Sequence, residues 1–411
     1  MITLSQYLTE SKEGKNVHLE HLEDEVLNGG VSGTRGAISF LQSLRDMLAG
    51  NATTSTVNLT TKWDGAPAIF AGINPENGKF FVGTKGVFAK NAKLNYTNAD
   101  IDANHPGEGL NIKLKIALKF LSELGIKGVM QGDMMFTADD IKNETIDGQE
   151  YITFQPNTIV YAIPSNSNLA NSIRKAKMGI VWHTTYNGDK LEDMKASFGI
   201  NIASLNTSRN VWYRDASFVD ATGTATFTAA ETQEITNILS QAGKLFRTIS
   251  ARTLNTIATN DTYKIQIKAW NNLKVREGKE ITNTAQHVAG LIATVEEKLN
   301  KAILEAKKAD TKAKRQQEKK LVMDFYKSNK EDLKKIFDLQ NLLVKAKNMI
   351  VKKLQKVQTS IGKYLRVDST GLKATSDEGF VAIDKVGRAI KLIDRLEFSQ
   401  ANFNATKNWS K

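Results

Sequence analysis

With 411 residues, 41% of them hydrophobic and 24% charged, the chain is long enough for two or three domains with a sizeable core, and its lack of cysteine excludes disulfides, thiolate metal sites and cysteine nucleophiles. No apolar run approaches membrane-spanning length, and the first residues lack a basic stretch followed by an apolar core, so a cytoplasmic protein that is neither exported nor membrane-embedded is expected. The net charge is +12, and segment 301–366, with seventeen Lys and two Arg against seven acidic residues, accounts for all of it; a polyanionic partner is expected, nucleic acid before acidic membrane.

In chain order, residues 1–52 read as helical. The run from Val17 to Glu25 is an exposed acidic helix, and His18, His21 and Glu25 on one of its faces are a weaker candidate for a metal site. Gly30, Gly33 and Gly36 form a helix-capping turn. A helix then runs from about Thr34 to Leu48, with Ala37, Leu41, Leu44 and Leu48 on one stripe.

Residues 53–225 switch to strand patterning. Apolar runs at Val57–Thr60, Pro67–Gly72, Phe80–Thr84, Gly128–Phe136, Tyr151–Phe154, Thr158–Ile163 and Gly179–His183 are strands, and Asn74-Pro-Glu-Asn-Gly-Lys is a hairpin turn. One helix interrupts near Asn111–Leu124. Residues 226–366 form a basic helical insertion, with apolar stripes through Val288–Ile303 and Ile336–Val357. Strands return at Gly379–Ile383 and Ala389–Ile393, within 367–411. The pattern predicts an α+β protein on a largely antiparallel sheet whose two parts bracket the insertion.

The chemistry concentrates at Thr61-Lys62-Trp63-Asp64-Gly65, where a strand delivers a lysine into a turn closed by Asp and Gly. A lysine in that setting sheds hydration, and burial together with neighbouring cations lowers its pKa and frees the amine as a nucleophile. The glycine is expected to let phosphates approach the backbone. Further polar residues punctuate the later strands in the order Lys85, Asp133, Tyr161, Glu378 and Lys391.

This order resembles the covalent nucleotidyltransferase superfamily, the ATP-dependent DNA and RNA ligases and mRNA capping enzymes. Lys62-Trp63-Asp64-Gly65 resembles its nucleophile motif, Gly83-Thr84-Lys85-Gly86 the ribose-side segment and Gln131-Gly132-Asp133-Met134-Met135 the third motif. Ile159-Val160-Tyr161 resembles the base-stacking strand, Asp377-Glu378-Gly379-Phe380-Val381 the acidic motif and Ala389-Ile390-Lys391-Leu392-Ile393 the closing lysine strand. The resemblance implies an antiparallel, ATP-grasp-like ligase adenylation domain that uses ATP and Mg²⁺ or Mn²⁺. Lys62 is then the nucleophile, Asp64 orients it, and Lys391 is the cation beside the α-phosphate. Thr61, Gly65, Lys85 and Asp133 contact the nucleotide, and Tyr161 or Phe154 faces the base. Glu378 and Asp133 hold the metal.

Asp133 stands where the family usually has Glu, Lys85 where it has Arg, and Ile393 where a second lysine is typical. Only twenty residues follow Lys391, short of the oligonucleotide-binding domain of DNA ligases and capping enzymes, so an RNA-ligase-like branch or a member with an unrelated target is expected. The expected function is ATP-dependent sealing of 5′-phosphate and 3′-hydroxyl ends, RNA before DNA. Lys312, Lys314, Arg315, Lys319 and Lys320 in the basic insertion would hold the polynucleotide. The alternatives are a non-catalytic nucleic-acid-binding or phage-assembly protein on the same scaffold, or an adenylyltransferase with another target. The chain as a whole also resembles an uncharacterised group of tailed-phage proteins, which implies a host-cytoplasm setting.

Overall fold

The computed structural model describes residues 20–50, 57–89, 91–198, 200–217, 226–356, 362–368, 371–375, 378–384 and 389–399. Within them the protein is α+β, with three sheets whose pairings are antiparallel but for one. Strands β1 (Val57–Thr61), β2 (Ala68–Ile73), β3 (Phe80–Gly83) and β4 (Val129–Thr137) are followed by β5 (Lys142–Ile146), β6 (Gln149–Phe154), β7 (Val160–Pro164), β8 (Met178–Asn187), β9 (Lys195–Phe198) and β10 (Val211–Asp215). After the helical region come β11 (Lys363–Asp368), β12 (Gly371–Ala374), β13 (Phe380–Asp384) and β14 (Ala389–Leu392).

The largest sheet runs β10-β8-β4-β2-β3, with β9 on the distal half of β8 and β10 parallel to its proximal half. A second runs β12-β11-β7-β6-β5, and a third, β1-β13-β14, joins the two ends of the chain. The large helices are α1 (Gly30–Leu48), α2 (Glu108–Leu121), α3 (Ala229–Phe246), α4 (Ala251–Thr259), α5 (Asp261–Arg276), α6 (Thr284–Glu305), α7 (Ala309–Ser328) and α8 (Lys330–Gln355). Among the described residues no helix is long and apolar enough to cross a membrane.

The large sheet has two chemically distinct faces because side chains alternate along a strand. Ile69 and Ala71 of β2, Met130 and Met134 of β4, and Ile180 and Trp182 of β8 pack under α2 on Leu114, Ala117 and Leu121. Their neighbours in sequence face the other way and build the site described below. The predicted hairpin between β2 and β3 is present, with Gly78 at φ +70° and its N–H on Asn74 O at 2.8 Å.

Two expectations change. The N-terminal acidic run is not an exposed helix: Glu23, Asp24 and Glu25 are 3–5% exposed, with Glu23 paired to Lys347 of α8, Glu23 and Asp24 met by Arg395 of the C-terminal segment, and Glu25 accepting from Asn28 Nδ2 at 3.3 Å. His18 lies outside the described residues. Gly30, Gly33 and Gly36 are not a capping turn but belong to α1, which begins at Gly30; a Cβ on Gly33 would stand 2.1 Å from Glu25 O, so glycine is what lets the helix pack against the preceding turn. Residues of α1, α3, α6 and α8 share one continuous core with Phe380, Ala382, Ile390 and Leu392 of the end-joining sheet. β11, whose first residues fall in the segment read as insertion, pairs with β7.

Candidate functional site

β1 and β13 pair through Thr61↔Phe380, and the Lys62 N–H extends that ladder onto Gly379 O at 2.8 Å. Lys62 and Glu378, 316 residues apart, are thereby brought together, and Lys62 Nζ donates to Glu378 Oε2. β14 pairs with β13 through Val381↔Lys391, which places Lys391 on the same small sheet. Its backbone N–H donates to Glu20 O at 3.1 Å, so the N-terminal segment docks along this edge.

Lys62, Thr61, Lys85, Asp133 and Lys391 line one cavity of about 260 Å³. Its walls come from the outward-alternating residues of the large sheet: Ala68 and Phe70 on β2, Gln131 on β4, Val181 and His183 on β8. Tyr186 completes an aromatic side with Phe70, ring centroids 5.7 Å apart, and its hydroxyl donates to Gln131 Oε1 at 2.7 Å. His183 Nε2 stands 3.7 Å from Asp133 Oδ2, and its Nδ1 is 2.8 Å from Thr184 Oγ1.

Asp64 does not touch the Lys62 ammonium in the hydrogen-bond network. Its carboxylate accepts from Asn157 Nδ2 (2.6 Å), Thr158 N–H (2.6 Å), Thr158 Oγ1 (2.7 Å) and Ile159 N–H (2.8 Å). It therefore pins the lysine turn to the loop before β7. Gly65 packs closely: a Cβ there would meet Asp133 Cβ at 2.6 Å, so only glycine lets the turn lie against β4.

Phe154 and Tyr161 are absent from the cavity wall. Tyr161 is 1% exposed, stacked on Phe154 at 5.3 Å and on Trp63 at 5.7 Å, and its hydroxyl accepts the Asp64 N–H at 2.8 Å. Both ring faces are occupied by core, and burial pushes its phenol well above the usual range. The aromatic side chains on the wall are instead Phe70, Trp63 and Tyr186. Alternation on β2 marks part of that wall, since Phe70 lies between the α2-facing Ile69 and Ala71; Tyr186 has the parity of Ile180 and Trp182, and the irregularity of β8 opposite Gln131 and Gly132 is what turns it to the cavity.

The electrostatics also differ from expectation. Burial alone would lower the Lys62 pKa, but the Glu378 carboxylate, with Asp133 and Asp64 behind it, raises it above the usual lysine range. Lys391 is lowered, by burial first and then by the Lys62 charge. Burial pushes Glu378 up, and Lys62 pulls it back. Both Asp133 and Glu378 act on one ammonium. That donor set fits Mg²⁺, which takes one or two protein carboxylates and completes its shell with water and substrate phosphates. Among the described residues no group of three or more His, Asp or Glu is arranged to hold a metal by itself.

The basic residues of α7 divide. Lys312, Lys314 and Lys320 are exposed, whereas Arg315 Nη1 donates to Ala302 O and Lys319 Nζ bonds Asn300 Oδ1 at 2.7 Å and Glu296 Oε1 at 3.2 Å, tying α7 to α6. Part of the +12 is likewise internal, since Lys347 is fully buried on Glu23 and Lys353 pairs with Glu231 at 2.9 Å.

Residues 16–407 match the model of a family of unknown function, DUF6267. The chain belongs to that family. No curated protein and no solved structure matches it.

Proposed function

We propose that this DUF6267 member is an ATP-dependent polynucleotide ligase of the covalent nucleotidyltransferase type, which joins RNA ends in a host cytoplasm through adenylylated Lys62. The observation that carries the reading is the convergence of Lys62, Lys85, Asp133 and Lys391 on one cavity, with Glu378 bonded to the Lys62 amine. Three strands from opposite ends of the chain, β1, β13 and β14, supply the reacting lysine, the carboxylate and the second cation. A surface lysine tip has no use for that arrangement.

The residues act as follows. Glu378 is the nearest acceptor for the proton that Lys62 must lose, so it takes that proton before the amine attacks the α-phosphorus of ATP. The new N–P bond forms as the bond from the α-phosphorus to the bridging oxygen breaks, and pyrophosphate leaves. Lys391 faces the charge that develops on the α-phosphoryl oxygens. Phe70, Trp63 and Tyr186 give the base an apolar side, and Lys85 reaches from the exposed lip toward ribose or phosphate. Asp133 and Glu378 would hold a divalent ion, which supplies neutralisation of the phosphate charge when bound. The cavity lies just below the roughly 300–1,000 Å³ of typical ligand sites, room for the adenosine end with the triphosphate tail at the mouth.

The Lys62–Glu378 pair favours a second reading. An amine held protonated is unreactive, and a protein that keeps it so would be a nucleic-acid-binding scaffold without catalysis. Incubation with ATP and Mg²⁺ followed by intact-mass analysis separates the two. Ligation requires an acid-labile AMP adduct that vanishes in Lys62→Ala. An unmodified protein, or an adduct mapped to another lysine, removes the proposal.

A further inference from the structure

A larger cavity, of about 720 Å³, lies three residues beyond Lys391 along the chain, where the N-terminal turn, α5, α8 and the segment Asp394–Glu397 meet. It shares no lining residue with the site at Lys62. Its size falls inside the range of small-ligand sites.

Three kinds of surface meet in it. The walls are apolar, with Ile281, Val344, Met349 and Leu396. Two buried polar atoms on the lining residues have no partner: Asn348 Oδ1, an acceptor, and Arg395 Nε, a donor. The orientation of Asn348 is set by its amide nitrogen, which donates to Asp394 Oδ2 at 3.2 Å, and Arg395 spends its other nitrogens on Asp24, Glu23 and Asn272. Buried polar atoms are seldom left unpaired, so a donor and an acceptor orphaned at one cavity call for a ligand with complementary groups. At the mouth, Asn341, Lys345, Asn348 and Lys352 form one stripe along α8, since spacings of four, three and four residues keep one helix face. Lys345 and Lys352 are exposed there. The remaining cations, Lys274 and Lys279, pair with Glu277, and the floor carboxylates of Glu23 and Asp24 are met by Lys347 and Arg395. Glu280 and Glu397 are the exposed acids on its rim.

We propose that this cavity binds a nucleoside monophosphate unit, its base between the apolar walls with an edge on Asn348 Oδ1 and Arg395 Nε, and its phosphate on Lys345 and Lys352. A flat, apolar-faced group carrying both donors and acceptors on its edge and a nearby anion matches all three surfaces. The unit is either a free nucleotide or the terminal nucleotide of a single-stranded RNA. In the second case the inference deepens the ligase reading by giving the RNA end a seat a few residues from Lys391.

The test uses the full chain carrying Lys62→Ala and no ATP, so that binding is read apart from any adenylylation. Anisotropy of a fluorescein-labelled, 5′-phosphorylated tetraribonucleotide gives affinity, and equilibrium dialysis with AMP, CMP, GMP and UMP tests free nucleotides. Lys345→Glu with Lys352→Glu should weaken binding at least tenfold and flatten its salt dependence. Asn348→Leu, which changes no charge, should also weaken it and narrow the differences among bases. The exposed lysine pair leaves the core untouched, so that variant keeps the test valid if Asn348→Leu fails to fold. Saturable binding of the monophosphates identifies a nucleotide site; binding of the tetramer alone identifies an RNA-end site. Affinity for both probes unchanged in both variants, or no binding of either probe, overturns the proposal. If the wild-type protein never adenylylates Lys62 but these variants show the binding losses, the ligase reading falls and this site stands.

Discussion

Replacing Glu378 by Gln keeps the shape of the side chain and removes the charge that holds Lys62 protonated. The Glu378 side chain is 7% exposed and that of Lys62 25%. Breaking such a pair leaves an uncompensated ammonium, at a typical cost of about 3–5 kcal/mol. The lower figure applies because a quarter of Lys62 still meets solvent. At about 1.4 kcal/mol per factor of ten, 3 kcal/mol corresponds to roughly a hundredfold rise in the ratio of neutral to protonated amine. The sign is set by what is removed: the Glu378 charge is the largest influence that raises the Lys62 pKa, burial goes on favouring the neutral form, and only the lesser pull of Asp133 and Asp64 still favours the protonated one. Acetylation pulses at pH 8, read by mass spectrometry on the Lys62 peptide with exposed Lys312 as internal reference, should show Lys62 acetylated far faster in Glu378→Gln than in wild type. On the proposed ligase chemistry, in which Glu378 takes the Lys62 proton and holds the metal, the same variant should also lose self-adenylylation. Equal acetylation rates in the two proteins would refute the claim that this ion pair governs the amine, and normal adenylylation would refute the role given to Glu378.

Lys391→Ala should slow self-adenylylation on the order of a hundredfold or more with little change in melting temperature, as loss of a cation that meets transition-state charge typically does; single-turnover kinetics checks it. Asp64→Ala removes the acceptor of four hydrogen bonds at a buried turn and should cost about 3 kcal/mol of stability, measured by urea denaturation, whereas Tyr161→Phe, which removes one acceptor, should cost about 1 kcal/mol. Reversing Lys312, Lys314 and Lys320 to Glu should weaken single-stranded RNA binding, with the salt slope falling by about 0.7 for each phosphate that is no longer neutralised, by filter binding at several salt concentrations. Burial lifts Glu25 from 4.5 to about 7, so the stability it contributes below pH 4.5 is lost as pH rises through 7. Glu25→Gln should therefore melt higher than wild type at pH 8, with the gap closing toward pH 4.5 in scanning calorimetry.

Much of the local structure was legible because it is written in periodicity. The stripe Ala37, Leu41, Leu44 and Leu48 lies on α1, the apolar runs became β2, β3, β4, β6, β7 and β8, and Asn74–Lys79 is the hairpin they required. The lysine turn and the two late strands were visible as motifs, and their meeting was expected from their order. Short, polar or exposed strands left no such mark. β12 has every residue exposed and β5 has none buried, so neither carries the alternation that identifies a strand.

Residue order alone thus determined the α+β class, the lysine turn and the concentration of positive charge, since these depend on neighbours a few residues apart. Tertiary structure decided what surrounds each group. A sequence cannot tell that Glu378 would be bonded to Lys62 and reverse the expected shift of its pKa, because that depends on a register set by a strand more than three hundred residues away. Nor could it tell that both faces of Tyr161 are spent on core, that Glu23 is buried on Lys347, or that only part of the basic segment faces solvent. Solvation and charge pairing are properties of an environment assembled from distant parts of the chain, and a charged side chain reads the same in one dimension whether it ends in water or against its opposite.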